Sequence, residues 1–304
     1  MKRKFNITFI IVFLVHFSVL SVLFAQNFET IAFGKLQFAS DKPLELEREM
    51  DLRDFDISKA ARAKQVPVLM YHRIIKSDDL QTTHYNEEGE LYGTIVTKEQ
   101  FSEQMEHLHE EGYTTLTLAE FQAYMEEEID VPKKSVLITF DDGFKDNYIN
   151  AYPILKKYDL RATIFLIAGN IDRDPRDYDP ADAQFLSVED IEASTDIFDY
   201  ESHTYKFHER DVNGDAFLTS KPREDVLRDI EEGMDIVGSK TGFAYPFGEY
   251  NKETLEILDE LGLEMAFTIK DGMAKPGESM LEIPRRGIYP GTTMDIFKLL
   301  LTYE

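Results

Sequence analysis

From residue 65 onward the chain alternates short runs of β-branched and aromatic residues with segments of helical period, and this alternation restricts the fold more than any other feature. VPVLMYHRII at 66–75 is the first strand-like run, Tyr113 to Leu116 the next, Val136 to Ile138 the most apolar, and Thr163 to Ile167, Tyr200 to Ser202, Phe243 to Tyr245 and Met265 to Ile269 complete the series. Between them lie helices with readable starts. Thr97 with Gln100, and Thr117 with Glu120, have capping-box spacing ahead of Phe101, Met105 and Leu108 in one case and Phe121 and Met125 in the other. A helix from about Lys145 to Tyr158 should bury Tyr148, Tyr152 and Leu155; one from Lys221 should end at Gly238, one from Asn251 at Gly262, and residues 293–302 should close the chain. Repeated strand–helix units require parallel pairing through right-handed crossovers, so the expectation is one α/β sheet wound by helices, open or closed into a barrel.

The run Val136 to Ile138 stops at Asp141-Asp142-Gly143, which puts two carboxylates at a strand's C-terminal end, the edge where α/β folds collect catalytic groups. Asp-Asp-Gly is also ordinary turn chemistry. A second stretch, Ser202-His203-Thr204-Tyr205-Lys206-Phe207-His208, raises its significance. One carboxylate and two imidazoles are the donor set of an open zinc site, so Asp142, His203 and His208 are candidate metal ligands and Asp141 is the spare carboxylate, available as a base. Residues five apart share neither a helix face nor a strand face, so the two histidines must sit on a loop to converge. His84, His107 and His109 read as solvated, and Arg285 and Arg286 follow Ile283-Pro284 with no role that the pattern assigns.

TFDDG at 139–143, SHTYKFH at 202–208 and AYPFG at 244–248, in that order, resemble the motifs of the polysaccharide deacetylases, family 4 carbohydrate esterases with a nodulation-type deacetylase domain. The resemblance covers residues 65–304. It implies a distorted, incomplete (β/α) barrel with the site at the C-terminal strand ends. The five-residue histidine spacing, Ala244 where the commonest third motif has Arg, and the lack of any Trp are closest to the biofilm poly-N-acetylglucosamine deacetylases. In those, a YH element upstream delivers the acid histidine; here it is Tyr71-His72, and no histidine follows Gly248. A strand-end core histidine is the plain alternative for His72. The resemblance also implies that Tyr245, Pro246 and Phe247 line the sugar pocket, with a backbone N–H near Tyr245 holding the oxyanion.

The implied activity is hydrolytic N-deacetylation of an N-acetylglucosamine polymer, first of all poly-β-1,6-N-acetylglucosamine, with zinc as cofactor and cobalt or nickel as substitutes. Peptidoglycan or chitin deacetylation is the enzymatic alternative, and a glycan-binding module without catalysis the alternative of another class. With 33 basic against 58 acidic residues the net charge is -25, which argues against nucleic acid as a partner. No cysteine is present, so neither disulfides nor thiol chemistry contribute. Lys2, Arg3 and Lys4 precede an apolar stretch from Phe5 to Ala25, which reads as an export signal or a membrane anchor and sets the domain outside the cytoplasmic membrane. Residues 26–64 read as a linker carrying one helix.

Overall fold

Ten strands form among the described residues: β1 (Val68–Tyr71), β2 (Arg73–Ile75), β3 (Ile95–Thr97), β4 (Thr114–Thr115), β5 (Ser135–Phe140), β6 (Ala162–Leu166), β7 (Phe198–Ser202), β8 (Gly242–Ala244), β9 (Met265–Phe267) and β10 (Arg286–Gly287), eight of them in the expected runs and two, β3 and β10, outside them. The computed structural model describes residues 52–302 continuously, with residues 43–46 and residues 13, 17, 18 and 21. Asp41–Glu304 is one compact unit and Met1–Ser40 another. The leader expected over residues 1–25 otherwise lies outside the described residues, among which no helix is long and apolar enough to cross a membrane.

The main sheet is parallel throughout, in the order β10-β1-β5-β6-β7-β8-β9. β4 pairs with the first half of β5 where β6 pairs with its second half, so the sheet is irregular at its centre. It curls. Residues 283–287 run from one edge to the other, with Ile283 bridged to Phe267 of β9 and Arg286 paired with Leu69 of β1. The interior holds an apolar cluster that draws Val68, Leu137, Phe165, Ala244, Phe267 and Ile283 from around the sheet. The architecture is the distorted, incomplete (β/α) barrel expected from the sequence.

Eight α-helices accompany the strands among the described residues: α1 (Lys98–Glu110), α2 (Leu118–Met125), α3 (Tyr152–Lys157), α4 (Val188–Glu192), α5 (Phe217–Ser220), α6 (Arg223–Val237), α7 (Lys252–Leu261) and α8 (Met294–Leu300). The capping box at Thr117 is complete, with Thr117 N donating to Glu120 at 3.0 Å and Glu120 N donating to Thr117 Oγ1 at 3.2 Å. That at Thr97 is half made, because the Gln100 side chain instead donates to the carbonyls of Tyr289 and Thr292. Gly238 and Gly262 end α6 and α7 in the left-handed conformation, as their positions predicted.

Two local expectations change. VPVLMYHRII is not one strand: it breaks at His72, with β1 in the main sheet and β2 paired to β3 in a separate one. The helix expected from Lys145 begins as a π-turn over Asn147–Ala151, and Tyr148 and Tyr152 are only half-buried while Asn147 and Asn150 face inward. Their amides have backbone partners to reach, as described below. Residues 52–64 are docked on the barrel: Arg53 pairs with buried Glu120, Phe55 packs on the interior cluster, and Ala63 N donates to Val131 O.

Candidate active site and metal centre

Asp141 and Asp142 follow β5 directly, and backbone geometry separates their directions. Alternation along a strand sends Leu137 and Thr139 into the barrel, and Asp141 continues that parity. Asp142 takes φ +73°, a costly conformation for a residue with a Cβ, and leaves the strand register. His203 follows β7, and Thr204 next to it also has a positive φ, 74°. That bend lets two histidines five residues apart converge. The Nε2 atoms of His203 and His208 lie 3.6 and 3.2 Å from Asp142 Oδ1.

These three groups fit a cation. Asp142 Oδ1 is buried and has no hydrogen-bond partner among the described residues. The Nδ1 of His203 lies 2.7 Å from the Ala244 carbonyl, which fixes the proton on Nδ1 and leaves the Nε2 lone pair facing Asp142. Burial pushes His203 down to about 3, also lowers His208, and pushes Asp142 up to about 6. Two lone pairs and a carboxylate oxygen aimed at one point repel one another unless a positive charge lies between them, and one donor atom from each residue falls within 4.8 Å of the others.

Asp141 has the opposite electrostatics. Burial alone would raise its carboxyl, but the Arg285 guanidinium, by its charge and hydrogen bonds, holds it far below the usual carboxylate range. The pair is bidentate, with NH1 and NH2 each donating to one Asp141 oxygen at 2.7 Å. Arg285 is itself 1% exposed and fixed by Nε to the Thr268 carbonyl at 2.9 Å. It arrives on the barrel-closing segment. The sequence pattern assigned it no role, and nothing in the local residues around it marks it apart from its neighbour Arg286.

His72 lies at the break between β1 and β2, with Nε2 3.9 Å from Asp141 Oδ2 and its side chain 20% exposed. Its backbone is clamped from the turn after the aspartates: Asn147 Nδ2 donates to His72 O at 2.7 Å, Ile74 N donates to Asp146 Oδ1 at 2.9 Å, and Asn150 Nδ2 donates to Ile74 O at 2.8 Å. Side chains thus replace a neighbouring strand along residues 72–74. Asp141, Asp142, His203 and His72 therefore all stand on the C-terminal rim of β1, β5 and β7.

The AYPFG segment is placed differently from expectation. Tyr245 is 1% exposed, its hydroxyl donating to Leu281 O and its N–H to Phe267 O, and Pro246 is buried too. Neither is among the residues that line the cleft described below: Tyr245 packs in one cluster with Ala266 of β9 and Ile257 and Leu258 of α7, and its N–H is taken by the sheet. Phe247 does reach the site. Its ring centroid is 4.5 Å from that of His208, its φ is 58°, and its N–H has no acceptor among the described residues. An open cleft of about 260 Å³ adjoins Asp142 and His208 and is lined also by Phe144, Ile167, Asn170, Phe185, Lys206 and Glu209. Phe144 and Phe185 stack at 5.1 Å. Of the remaining histidines, His84 is buried rather than solvated, bonded at Nδ1 to Gln81 N and at Nε2 to Pro180 O, and His107 is half-buried against Phe297 and Tyr113.

The polysaccharide deacetylase family model matches residues 128–266. YxkH of Bacillus subtilis, whose name assigns it to the polysaccharide deacetylases, is 32% identical over 242 residues, covering 79% of this chain and 77% of its own. The poly-beta-1,6-N-acetyl-D-glucosamine N-deacetylase of Staphylococcus aureus (strain MSSA476) is 29% identical over 243 residues, 76% of this chain and 82% of that one. Among solved structures, the Streptococcus pyogenes deacetylase PplD in complex with acetate superposes with a TM-score of 0.66 at 25% identity, covering 79% of this chain and 99% of that one. IcaB from Ammonifex degensii gives 0.64 at 26% identity, with the same coverage. The likeness is thus one of sequence as well as fold, and the chain belongs to the polysaccharide deacetylase family of enzymes.

Proposed function

We propose that this enzyme is a metal-dependent N-deacetylase of N-acetylglucosamine polymers, acting on the poly-β-1,6-linked exopolysaccharide. The observation that carries the reading is the placing of an arginine-paired, ionised Asp141 beside the Asp142–His203–His208 cluster, in which buried Asp142 Oδ1 has no hydrogen-bond partner among the described residues. The choice of glycan is supported by the Staphylococcus aureus relatives and by the five-residue histidine spacing.

Asp142, His203 and His208 would hold a divalent cation, zinc first and cobalt or nickel as substitutes, since two imidazoles and a carboxylate are a common set for catalytic zinc. When bound, the ion supplies Lewis acidity toward the acetyl carbonyl and makes a water more acidic. Asp141 keeps free lone pairs beyond the two that Arg285 occupies, and takes the attacking water's proton. The Phe247 N–H donates to the carbonyl oxygen as it gains negative charge. Protonated His72 then donates to the sugar nitrogen while the C–N bond breaks, so the sugar leaves as a neutral amine and acetate remains. The Phe144–Phe185 pair offers an apolar wall to a sugar face.

The basic then apolar N-terminus supports placement outside the cytoplasmic membrane, which fractionation of the expressing cell would test. The activity is tested by acetate release from the zinc-loaded chain with poly-β-1,6-N-acetylglucosamine, chitin oligomers and peptidoglycan in parallel. Release from the β-1,6 polymer well above the other two is expected. Preference for either of the others reassigns the substrate, and no release from any of them refutes the reading.

A further inference from the structure

Helix α6 has an amphipathic stripe in which Val226, Ile230, Met234 and Val237 are buried, and two members of the buried face do not suit a core: Asp229, 5% exposed, and Gly233. They are four residues apart and so face the same way. Both meet the loop that carries the histidines. Tyr205 N and Phe207 N donate to Asp229 Oδ1 at 3.1 and 3.2 Å, and Lys206 N donates to Oδ2 at 2.8 Å. Three successive N–H groups therefore wrap one carboxylate, an anion-holding nest made by the chain itself. A Cβ on Gly233 would come within 2.8 Å of Thr204 C, Tyr205 N and Ser202 Oγ, so only glycine lets the helix approach this closely.

The loop's far side is held as well. Ala168 N donates to Thr204 O at 2.9 Å and Gly169 N to Tyr205 O at 2.7 Å. Residues 204–207 thus lie between the end of β6 and α6, and the Asp229 side chain engages the N–H groups of Tyr205, Lys206 and Phe207 together. Hydrogen bonding of this kind fixes the direction in which the flanking residues leave the loop. Here the flanking residues are His203 and His208.

We infer that Asp229 and Gly233 are positioning residues of the metal centre, which set the bend of residues 204–207 and thereby the convergence of His203 and His208 on Asp142. This inference rests on the metal-binding reading above. It accounts for two features that packing alone leaves unexplained: a buried carboxylate that accepts from three successive backbone N–H groups, and a buried Thr204 kept at positive φ.

The test is zinc affinity, measured by competition with a chromophoric chelator, together with the visible absorption of the cobalt-loaded chain. Wild type, Asp229→Ala, Asp229→Asn, Gly233→Ala and His203→Ala are compared, with circular dichroism to establish folding. Loss of supporting hydrogen bonds to a metal centre typically weakens metal binding about 10- to 100-fold, and that loss is expected for Asp229→Ala with shifted cobalt bands. Asp229→Asn keeps one acceptor oxygen and should fall between it and wild type. Gly233→Ala should reproduce the effect by pushing the loop outward. Should Asp229→Ala not fold, the other two variants decide by the same readouts. Wild-type affinity and unshifted cobalt bands in Asp229→Asn and Gly233→Ala overturn the inference, while loss of zinc in His203→Ala leaves the metal reading standing. A wild-type chain that takes up no zinc overturns both.

Discussion

Arg285 and Asp141 form a bidentate ion pair in the barrel interior, with both N–O distances 2.7 Å and the two residues 144 positions apart. A side chain that is 1% exposed can carry a guanidinium there only because the carboxylate, the Thr268 carbonyl and Thr139 Oγ1 satisfy its donors. Arg285→Met should therefore strand a buried charge. The expected cost is about 3–5 kcal/mol of stability by urea unfolding. With burial no longer opposed, the acid limb of the pH–rate profile should also move to higher pH. The double variant Arg285→Met/Asp141→Asn should recover stability and not activity. An unchanged acid limb in Arg285→Met would show that the arginine does not keep Asp141 ionised.

The second prediction concerns the clamp on His72. Asn147→Ala removes the donor to the His72 carbonyl and leaves the ring itself intact. If the clamp positions His72 as an acid, turnover of an N-acetyl sugar should fall about tenfold or more, within the range that general acid catalysis supplies. Hydrolysis of an aryl acetate should change little, because a phenolate leaves without a proton. Equal loss on both substrates would assign Asn147 to the fold alone.

The main elements were readable because their signals are local. Apolar runs of strand length, Thr117 with Glu120, and Gly238 and Gly262 each report on a few neighbouring residues, and a parallel sheet follows from their order, whereas its curl into a barrel was implied only by the motif resemblance. The aspartates and the histidine pair were readable as residue types with a spacing. The partners of these groups were not. Arg285 meets Asp141 only because the sheet curls and residues 283–287 bridge its edges, and nothing within the segment IPRRG states that. His72 looked like part of an unbroken strand, since Asp146, Asn147 and Asn150, which replace its strand neighbour, lie more than 70 positions away. Tyr245 and Phe247 differ in exposure because of a positive φ at Phe247, which the residue type does not advertise.

A third prediction follows from the burial of His203, whose imidazole is pushed down to about 3. In the unfolded chain it titrates near 6.5, so between these values the unfolded state binds the additional proton. Its contribution to stability is full above about 6.5 and is lost as the pH falls toward 3. Asp142, pushed up to about 6, has the reverse sign, so the metal-free wild type alone does not isolate the histidine. The difference in unfolding free energy between wild type and His203→Gln does. It should shrink as the pH drops, by at most about 1.4 kcal/mol per pH unit. A difference that stays constant from pH 7 to 4 would mean that His203 remains exchangeable with solvent.

The last prediction separates the roles given to Asp141 and His72, which stand 3.9 Å apart. Water activation is common to amide and ester hydrolysis, whereas protonation of the leaving group matters only when that group is a poor one. His72→Asn keeps size and some hydrogen bonding but delivers no proton. It should lose about a hundredfold or more in acetate release from an N-acetylglucosamine oligomer and hydrolyse an aryl acetate almost normally. Asp141→Asn should impair both. Because the metal ligands are untouched, each variant should retain stoichiometric zinc, which excludes loss of the ion as the common cause. If His72→Asn damages amide and ester cleavage equally while zinc is retained, His72 is no acid, and the break between β1 and β2 serves only to turn the chain.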